Sequence, residues 1–357
     1  MKKLAVLLTL LLLIIIGGGL IGGYNYFISP MDKNADTIEF KVEKGDTFTT
    51  IAGELKEKGL IRDVGFYKIY LKINEPDTIK EGIHEVSARM SLPELIKQLS
   101  STNLKKEVIS ITFKEGRNMR YVVSLIHEKT GQSEEEIYNI LDDENYLNEL
   151  IENYWFLSDE IKNQEIYYSL EGYLYQDTYE IDKENADAKE IFSKMLDNME
   201  SKIDSLKVDI EESSYSFHEL LTLASMVELE ASTSEDRKGV AGVFYNRLDI
   251  KMSLGSDVTT YYAAKVDMGE RDLYKSELND YNAYNTRNAN MAGKLPVGPI
   301  SNPSITSLEA VVYPEENNYY YFVADKNKKV YFSKNSKEHN STISRLKQEG
   351  LWYTYEN

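Results

Sequence analysis

Leu4 to Gly23 is an unbroken uncharged run, about the twenty residues that a helix needs to cross roughly 30 Å of hydrocarbon. Lys2 and Lys3 precede it, and Tyr24, Tyr26 and Phe27 close it with side chains suited to a membrane interface. The positive end is expected to stay cytoplasmic, so residues 1–30 read as the N-terminus and a single-pass anchor, with everything after about Ser29 outside the membrane. Gly17 to Gly19 would suit a cleaved signal peptide, but the apolar stretch is long for one, and an uncleaved transmembrane helix is expected. The remainder must fold without disulfides, because the chain has no cysteine.

The 357 residues allow two or three domains, and 42% hydrophobic content is enough for real cores. A formal net charge of -18 argues against nucleic acid as a partner. An extended polyanion is also a poor partner unless the cleft is locally basic. The absence of cysteine excludes a thiol nucleophile and a zinc-thiolate site. His84, His127, His218 and His339 are scattered without ligand spacing, so no metal site is expected.

A small βα module is expected over residues 37–103. Ile38 to Val42 alternates as a strand, Glu43-Lys44-Gly45-Asp46 turns, and Phe48, Ile51, Ala52 and Leu55 follow at helical spacing. A helix from Val64, a strand from Gly82 to Val86 and a helix from Leu92 to Leu99, capped by Ser91, complete it. The opening Val42 to Phe48 with Ile51-Ala52 resembles a LysM-type module, a class that binds N-acetylated glycans; a module that merely positions the next domain fits equally well.

Residues 106–357 read as a larger α+β domain. Val108 to Phe113 alternates as a strand, and the acidic stretch from Glu134 to about Glu165 reads as a polar surface insert. Leu170 to Tyr179 mixes aromatic, glycine and acidic residues without regular period, which suits a groove-lining loop or an ordinary buried connection. Beyond Val240 to Leu248, a helix, the chain is dense in turn residues, with Pro296, Pro299 and Pro303 fixing loop shape and a hairpin expected from Tyr319 to Phe332. A strand-rich C-terminal part would support these loops.

Leu220 to Ala231 reads as a buried helix that nevertheless carries carboxylates, Glu228 and Glu230. An unpaired buried carboxylate is costly, so such a group has its pKa raised or does chemistry, unless the helix simply turns outward there. Two positions of advance rotate a side chain by roughly 200°, so the two glutamates cannot share one cleft. Both follow apolar rows, and periodicity does not choose between them. Glu228 is taken as the first candidate for a catalytic acid.

Seven blocks in order carry a resemblance: Leu170-Glu171-Gly172-Tyr173-Leu174 with Asp177-Thr178-Tyr179, Ala224 to Glu230, Val243 to Leu248, Ser256-Asp257, Tyr284-Asn285-Thr286, Leu295 to Ile300, and Tyr321 to Ala324. The chain resembles the endolytic murein transglycosylases of the MltG type, also called YceG-like. Gln176 and Val258 depart from it, standing where proline is common in that family.

The resemblance implies an enzyme without cofactor that cleaves the β-1,4 bond between N-acetylmuramic acid and N-acetylglucosamine in nascent peptidoglycan glycan strands. It leaves 1,6-anhydromuramoyl ends and so terminates strand elongation. It implies Glu228 as the acid/base, with Glu171, Tyr173, Ser256, Asp257, Thr259, Asn285 and Thr286 as substrate-binding candidates. It also implies penicillin-binding proteins and elongation or division factors as partners, and a cell-membrane location with the catalytic domain facing the periplasm or wall. Two other readings stay open: a hydrolytic muramidase with Asp257 as the second carboxylate, and a noncatalytic glycan-binding scaffold.

Overall fold

The computed structural model describes residues 2–102, 104, 105 and 107–352 and divides into two compact units, Met1–Val108 and Ile109–Asn357. The boundary residues expected at 103 and 106 lie outside the described residues.

The first unit begins with α1 (Lys2–Ile28), which contains a 19-residue stretch, Leu10–Ile28, long and apolar enough to cross a membrane. Leu10, Leu11, Ile15, Leu20 and Ile21 are all exposed on it. Its last turn is tied down: the Arg62 Nε donates to the Tyr26 carbonyl at 2.9 Å and its Nη2 to that of Pro30 at 2.7 Å. These two bonds answer carbonyls that a helix end leaves without intrahelical partners.

Strand β1 (Thr37–Val42) leads through α2 (Ala52–Glu57) and α3 (Val64–Asn74) to β2 (Gly82–Ser87), which pairs antiparallel with β1, Phe40 opposite His84. Phe66 of α3 stacks on Phe27 with ring centroids 4.6 Å apart, so an aromatic residue expected at a membrane interface here braces the unit. Helix α4 (Leu92–Leu99) starts where the Glu94 carboxylate accepts the Ser91 backbone N–H at 2.7 Å. It buries Leu92, Leu95, Ile96 and Leu99, the i, i+3, i+4, i+7 stripe of an amphipathic helix, against Phe40, Leu55 and Tyr67.

The second unit pairs β3 (Val108–Thr112) with β4 (Thr178–Asp182). Between them run α5 (Met119–Thr130), α6 (Glu134–Leu141) and α7 (Glu144–Asn153). The acidic stretch expected as a surface insert is instead part of the core. Ile137, Leu141, Leu147, Leu150 and Ile161 are buried, and the charges occupy the opposite faces of α6 and α7. Leu170 to Gln176 is likewise a buried connection rather than the lining of a groove, with Leu170, Tyr173 and Leu174 fully enclosed.

Helices α8 (Ala188–Ile203) and α9 (Lys207–Glu212) precede α10 (Phe217–Glu230), the centre of this unit. A capping box starts α10: Ser216 Oγ accepts the Glu219 N–H at 3.2 Å, and Glu219 accepts the Ser216 N–H at 2.9 Å. Every residue from Phe217 to Val227 except Glu219 is buried, and α10 packs against α11 (Ser234–Asp249) and α14 (Ile305–Val312).

Between α11 and α14 lie α12 (Asp257–Ala263) and α13 (Lys275–Asn279); β5 (Tyr321–Ala324) and β6 (Val330–Ser333) form an antiparallel hairpin covered by α15 (Ser336–Gln348). The C-terminal part is therefore helical and loop-built. Among the described residues this hairpin holds its only strands, because Ser256 to Tyr262, rich in β-branched and aromatic residues, is wound into α12 around an N-terminal Ser-Asp pair.

Candidate active site

The two glutamates at the end of α10 have opposite surroundings. Glu228 meets four donors. Arg237 Nη2 of α11 reaches Oε1 at 2.9 Å; the Ser304 N–H at 3.0 Å, the Ser304 hydroxyl at 2.5 Å and the Ser307 hydroxyl at 2.7 Å all reach Oε2. Ser304 is the N-cap of α14, so this carboxylate lies at the positive end of a helix as well as beside a guanidinium. Both partners of the ion pair are largely shielded, with 12% and 8% of the Arg237 and Glu228 side-chain surfaces exposed. These four donors tie α10, α11 and α14 together.

Glu230, roughly 200° further round the helix, has one hydrogen-bond donor among the described residues, the hydroxyl of Ser256. Burial raises its pKa, and nearby Asp257 reinforces the rise; the Ser256 hydrogen bond and more distant Arg247 oppose it. Its place as the last residue of α10 adds the negative end of a helix, which also favours the protonated form. As a residue Glu230 is half-buried, as Glu228 is. A carboxyl whose pKa is raised by burial is a candidate general acid.

Ser256, Thr259, Asn285 and Thr286 are brought together behind Glu230. Thr286 Oγ1 accepts the Ser256 N–H at 3.0 Å and lies 2.8 Å from Thr259 Oγ1, whose hydroxyl also reaches the Ser256 carbonyl at 2.7 Å. Asn285 accepts from the Thr260 hydroxyl at 2.8 Å and donates to the carbonyls of Glu277 and Asp280 at 3.1 and 3.0 Å. Thr259, Asn285 and Thr286 are fully buried and Ser256 nearly so. They position α12 and the hydroxyl that reaches Glu230. Asp257, exposed at the first position of α12, is ion-paired with Arg287.

Glu171 and Tyr173 also lie inside the protein rather than on a ligand-facing wall. The Tyr173 hydroxyl is 2.8 Å from His218 Nδ1, and His218 Nε2 is 2.9 Å from the Val297 carbonyl, so a proton on Nε2 leaves Nδ1 to accept from the tyrosine. Glu171 Oε2 accepts the Met119 N–H and the Tyr262 hydroxyl, each at 2.9 Å. Burial pushes its pKa up to about 7 against these hydrogen bonds.

Beside it Asn302 accepts the Gly172 N–H at 3.0 Å and donates Nδ2 to the Arg117 carbonyl at 3.0 Å, while the Gly116 N–H donates to the Asn302 carbonyl at 2.9 Å. The loop from Glu115 to Asn118 is thereby pinned alongside Glu228. Glu115 on that loop has its pKa raised by burial and by the nearby Glu228 charge.

Arg237, Ser304, Ser307, Asn302 and Glu115 are the participants that sequence reading missed. Arg237 is one of many charged residues on a helix of mixed polarity, and Ser304 reads locally only as an N-cap. Pro303 before it was the available signal of a helix start.

Residues 40–345 match the YceG-like family. The chain belongs to this family. YceG-like relatives include an endolytic murein transglycosylase of Bacillus subtilis, 32% identical over 315 residues that cover 88% of this chain and 86% of that protein. An endolytic murein transglycosylase of Streptococcus pneumoniae serotype 2 is 27% identical across 90% of this chain but only 61% of its own length. The crystal structure of a YceG-like protein from Listeria monocytogenes superposes with a TM-score of 0.60 at 29% identity, covering 87% of this chain and all of that one.

Proposed function

We propose that this YceG-like chain is a membrane-anchored endolytic murein transglycosylase, with Glu230 as its acid/base and Glu228 as the anchor of the site. The observation that carries the reading is the contrast at the end of α10: Glu228 is saturated with donors, whereas Glu230 has the Ser256 hydroxyl alone among the described residues and a pKa that burial raises. The similarity to the B. subtilis and S. pneumoniae enzymes supplies the substrate, peptidoglycan.

In the reaction, protonated Glu230 gives its proton to the oxygen leaving the muramoyl anomeric carbon as an oxocarbenium-like centre develops. The carboxylate so formed accepts a hydrogen bond from the Ser256 hydroxyl, which favours its charged state. It then takes the proton of the muramoyl 6-hydroxyl, whose oxygen attacks the anomeric carbon and closes the 1,6-anhydro ring. Because that nucleophile is intramolecular, no second carboxylate is needed to activate water. Asp257, the carboxylate that raises the Glu230 pKa, is committed to Arg287, which disfavours it as the base of a hydrolytic muramidase.

The apolar N-terminal helix would hold the enzyme in the membrane, its Lys2-Lys3 end cytoplasmic and the second unit outside. Residues 37–103, a strand-helix-helix-strand unit with a further helix, would serve as a LysM-type module that presents strands to the catalytic domain, residues 106–357. Penicillin-binding proteins and elongation or division factors are the partners expected where nascent strands emerge.

The test is mass spectrometry of products from nascent glycan strands treated with the detergent-solubilised chain and its Glu230→Gln and Glu228→Gln variants. Anhydromuramoyl ends made by the unmodified chain and lost in Glu230→Gln support the reading. Hydrated reducing ends would make it a muramidase, and full activity in Glu230→Gln would return the acid to Glu228. Glycan binding without cleavage would leave a scaffold.

A further inference from the structure

The muramoyl residue at the cleaved bond is branched: its lactyl group carries a short peptide that ends in free carboxylates. A cavity beside the end of α10 is where such a branch would be received if the protein reads it. The second unit has one of about 490 Å³.

The cavity lies against the end of α10. Leu229, between the two glutamates, forms part of its wall, and Val258, next to Asp257, forms another. Gly116 lines it as well, and a Cβ built on that residue would lie 3.6 Å from Glu228 Cγ. The cavity thus adjoins the end of α10 through Leu229, with Gly116 between it and Glu228.

Its charge is the reverse of the molecule's. Of the ionisable residues on the wall, Arg120 is ion-paired with Asp267, which leaves Arg117 as the excess cation in a chain of net charge -18. The Arg117 guanidinium lies over the Tyr121 ring, 5.2 Å from its centroid, and among the described residues no carboxylate pairs with it. Its backbone is fixed, because the Arg117 carbonyl accepts both the N–H and the side-chain amide of Asn302, at 2.9 and 3.0 Å. A planar cation stacked on an aromatic ring, with its donors unspent, is preorganised for a carboxylate.

We propose that this cavity is the subsite for the peptide branch of the muramoyl residue, and that Arg117 recognises a carboxylate of that peptide. The proposal rests on the peptidoglycan reading above and adds a substrate preference to it: strands that carry stem peptides are favoured over bare ones.

The experiment uses the full chain in detergent. Cleavage is measured on peptide-bearing glycan strands and on the same strands stripped by an amidase, for the unmodified chain, Arg117→Ala and Arg117→Lys. The ratio of kcat/KM on the two substrates is expected to fall by about tenfold or more in Arg117→Ala, the loss of one charge-assisted hydrogen bond, and to recover partly in Arg117→Lys. An unchanged ratio would overturn the proposal.

Calorimetric binding to the Glu230→Gln protein separates this from the reaction itself, using a soluble disaccharide-peptide and the same disaccharide without peptide. Peptide-dependent binding that is lost in Glu230→Gln/Arg117→Ala supports the subsite even if no cleavage is ever seen. Equal binding of the two ligands overturns it even if the enzyme is a transglycosylase.

Discussion

Ser256 donates its hydroxyl to Glu230, and in doing so couples the N-cap of α12 to the last residue of α10. The hydrogen bond favours the carboxylate and so restrains the rise in pKa that burial imposes. In Ser256→Ala that restraint is gone. Protonated Glu230 then persists to higher pH, and the alkaline limb of the pH–rate profile is expected to move up by roughly one unit, the size of a hydrogen bond to a charged group. A profile whose alkaline limb stays in place would separate Ser256 from the acid.

Glu230→Gln and Glu228→Gln are expected to fail in different ways. The first removes a buried proton donor with little change of shape, so formation of anhydro product stops while the melting temperature stays near that of the unmodified chain. The second leaves the mostly buried Arg237 without its carboxylate, and the loss is expected to be about 3 kcal/mol of stability, as for other broken buried pairs. Thermal unfolding monitored beside product analysis distinguishes the two.

Glu171 gives the fold a pH dependence of definite sign. Its folded pKa of about 7 lies above the ordinary glutamate value of 4.5, so between these limits the folded state binds more protons than the unfolded. This group's contribution to stability is therefore fully present below about pH 4.5 and declines as pH rises toward 7. A shift of this size corresponds to roughly 3 kcal/mol. Denaturant titrations from pH 4.5 to 8 should contain that component, and Glu171→Gln should remove it.

Gly172 occupies a left-handed conformation, φ +88°, and a Cβ there would lie 2.5 Å from the Cβ of Pro299. Gly172→Ala is expected to destabilise by about 2 kcal/mol or more, since strain and overlap act together. A drop in the denaturant midpoint checks this, and its absence would mean that the Pro299 loop yields freely.

Much of this arrangement could be read from the chain. The capping residues Ser91 and the periodic face of α4 are local signals, and so are the two apolar runs of the β5–β6 hairpin. Helix α10 was legible because its apolar residues run almost without interruption. The choice between Glu228 and Glu230 was not, because what separates them comes from elsewhere: Arg237, Ser304 and Ser307 converge on one, and Ser256 on the other. Glu171 and Tyr173 were ambiguous for a related reason. Aromatic and acidic residues in an irregular stretch describe a ligand-lined loop and a buried polar connection equally well, and only the partners Met119, Tyr262 and His218 distinguish them. Arg117 carried no signal at all until Tyr121 and Asn302 fixed it beside the cavity.

Asn302 joins Arg117, 185 positions earlier, to the turn at Gly172, 130 positions earlier. These closures span most of the second unit, so they form only after the chain has been made as far as residue 302. Contacts of such sequence separation form late in folding. One amide side chain thus closes two long loops at once, so the turn at Gly172 and the backbone of Arg117 are held in register by a residue remote from both.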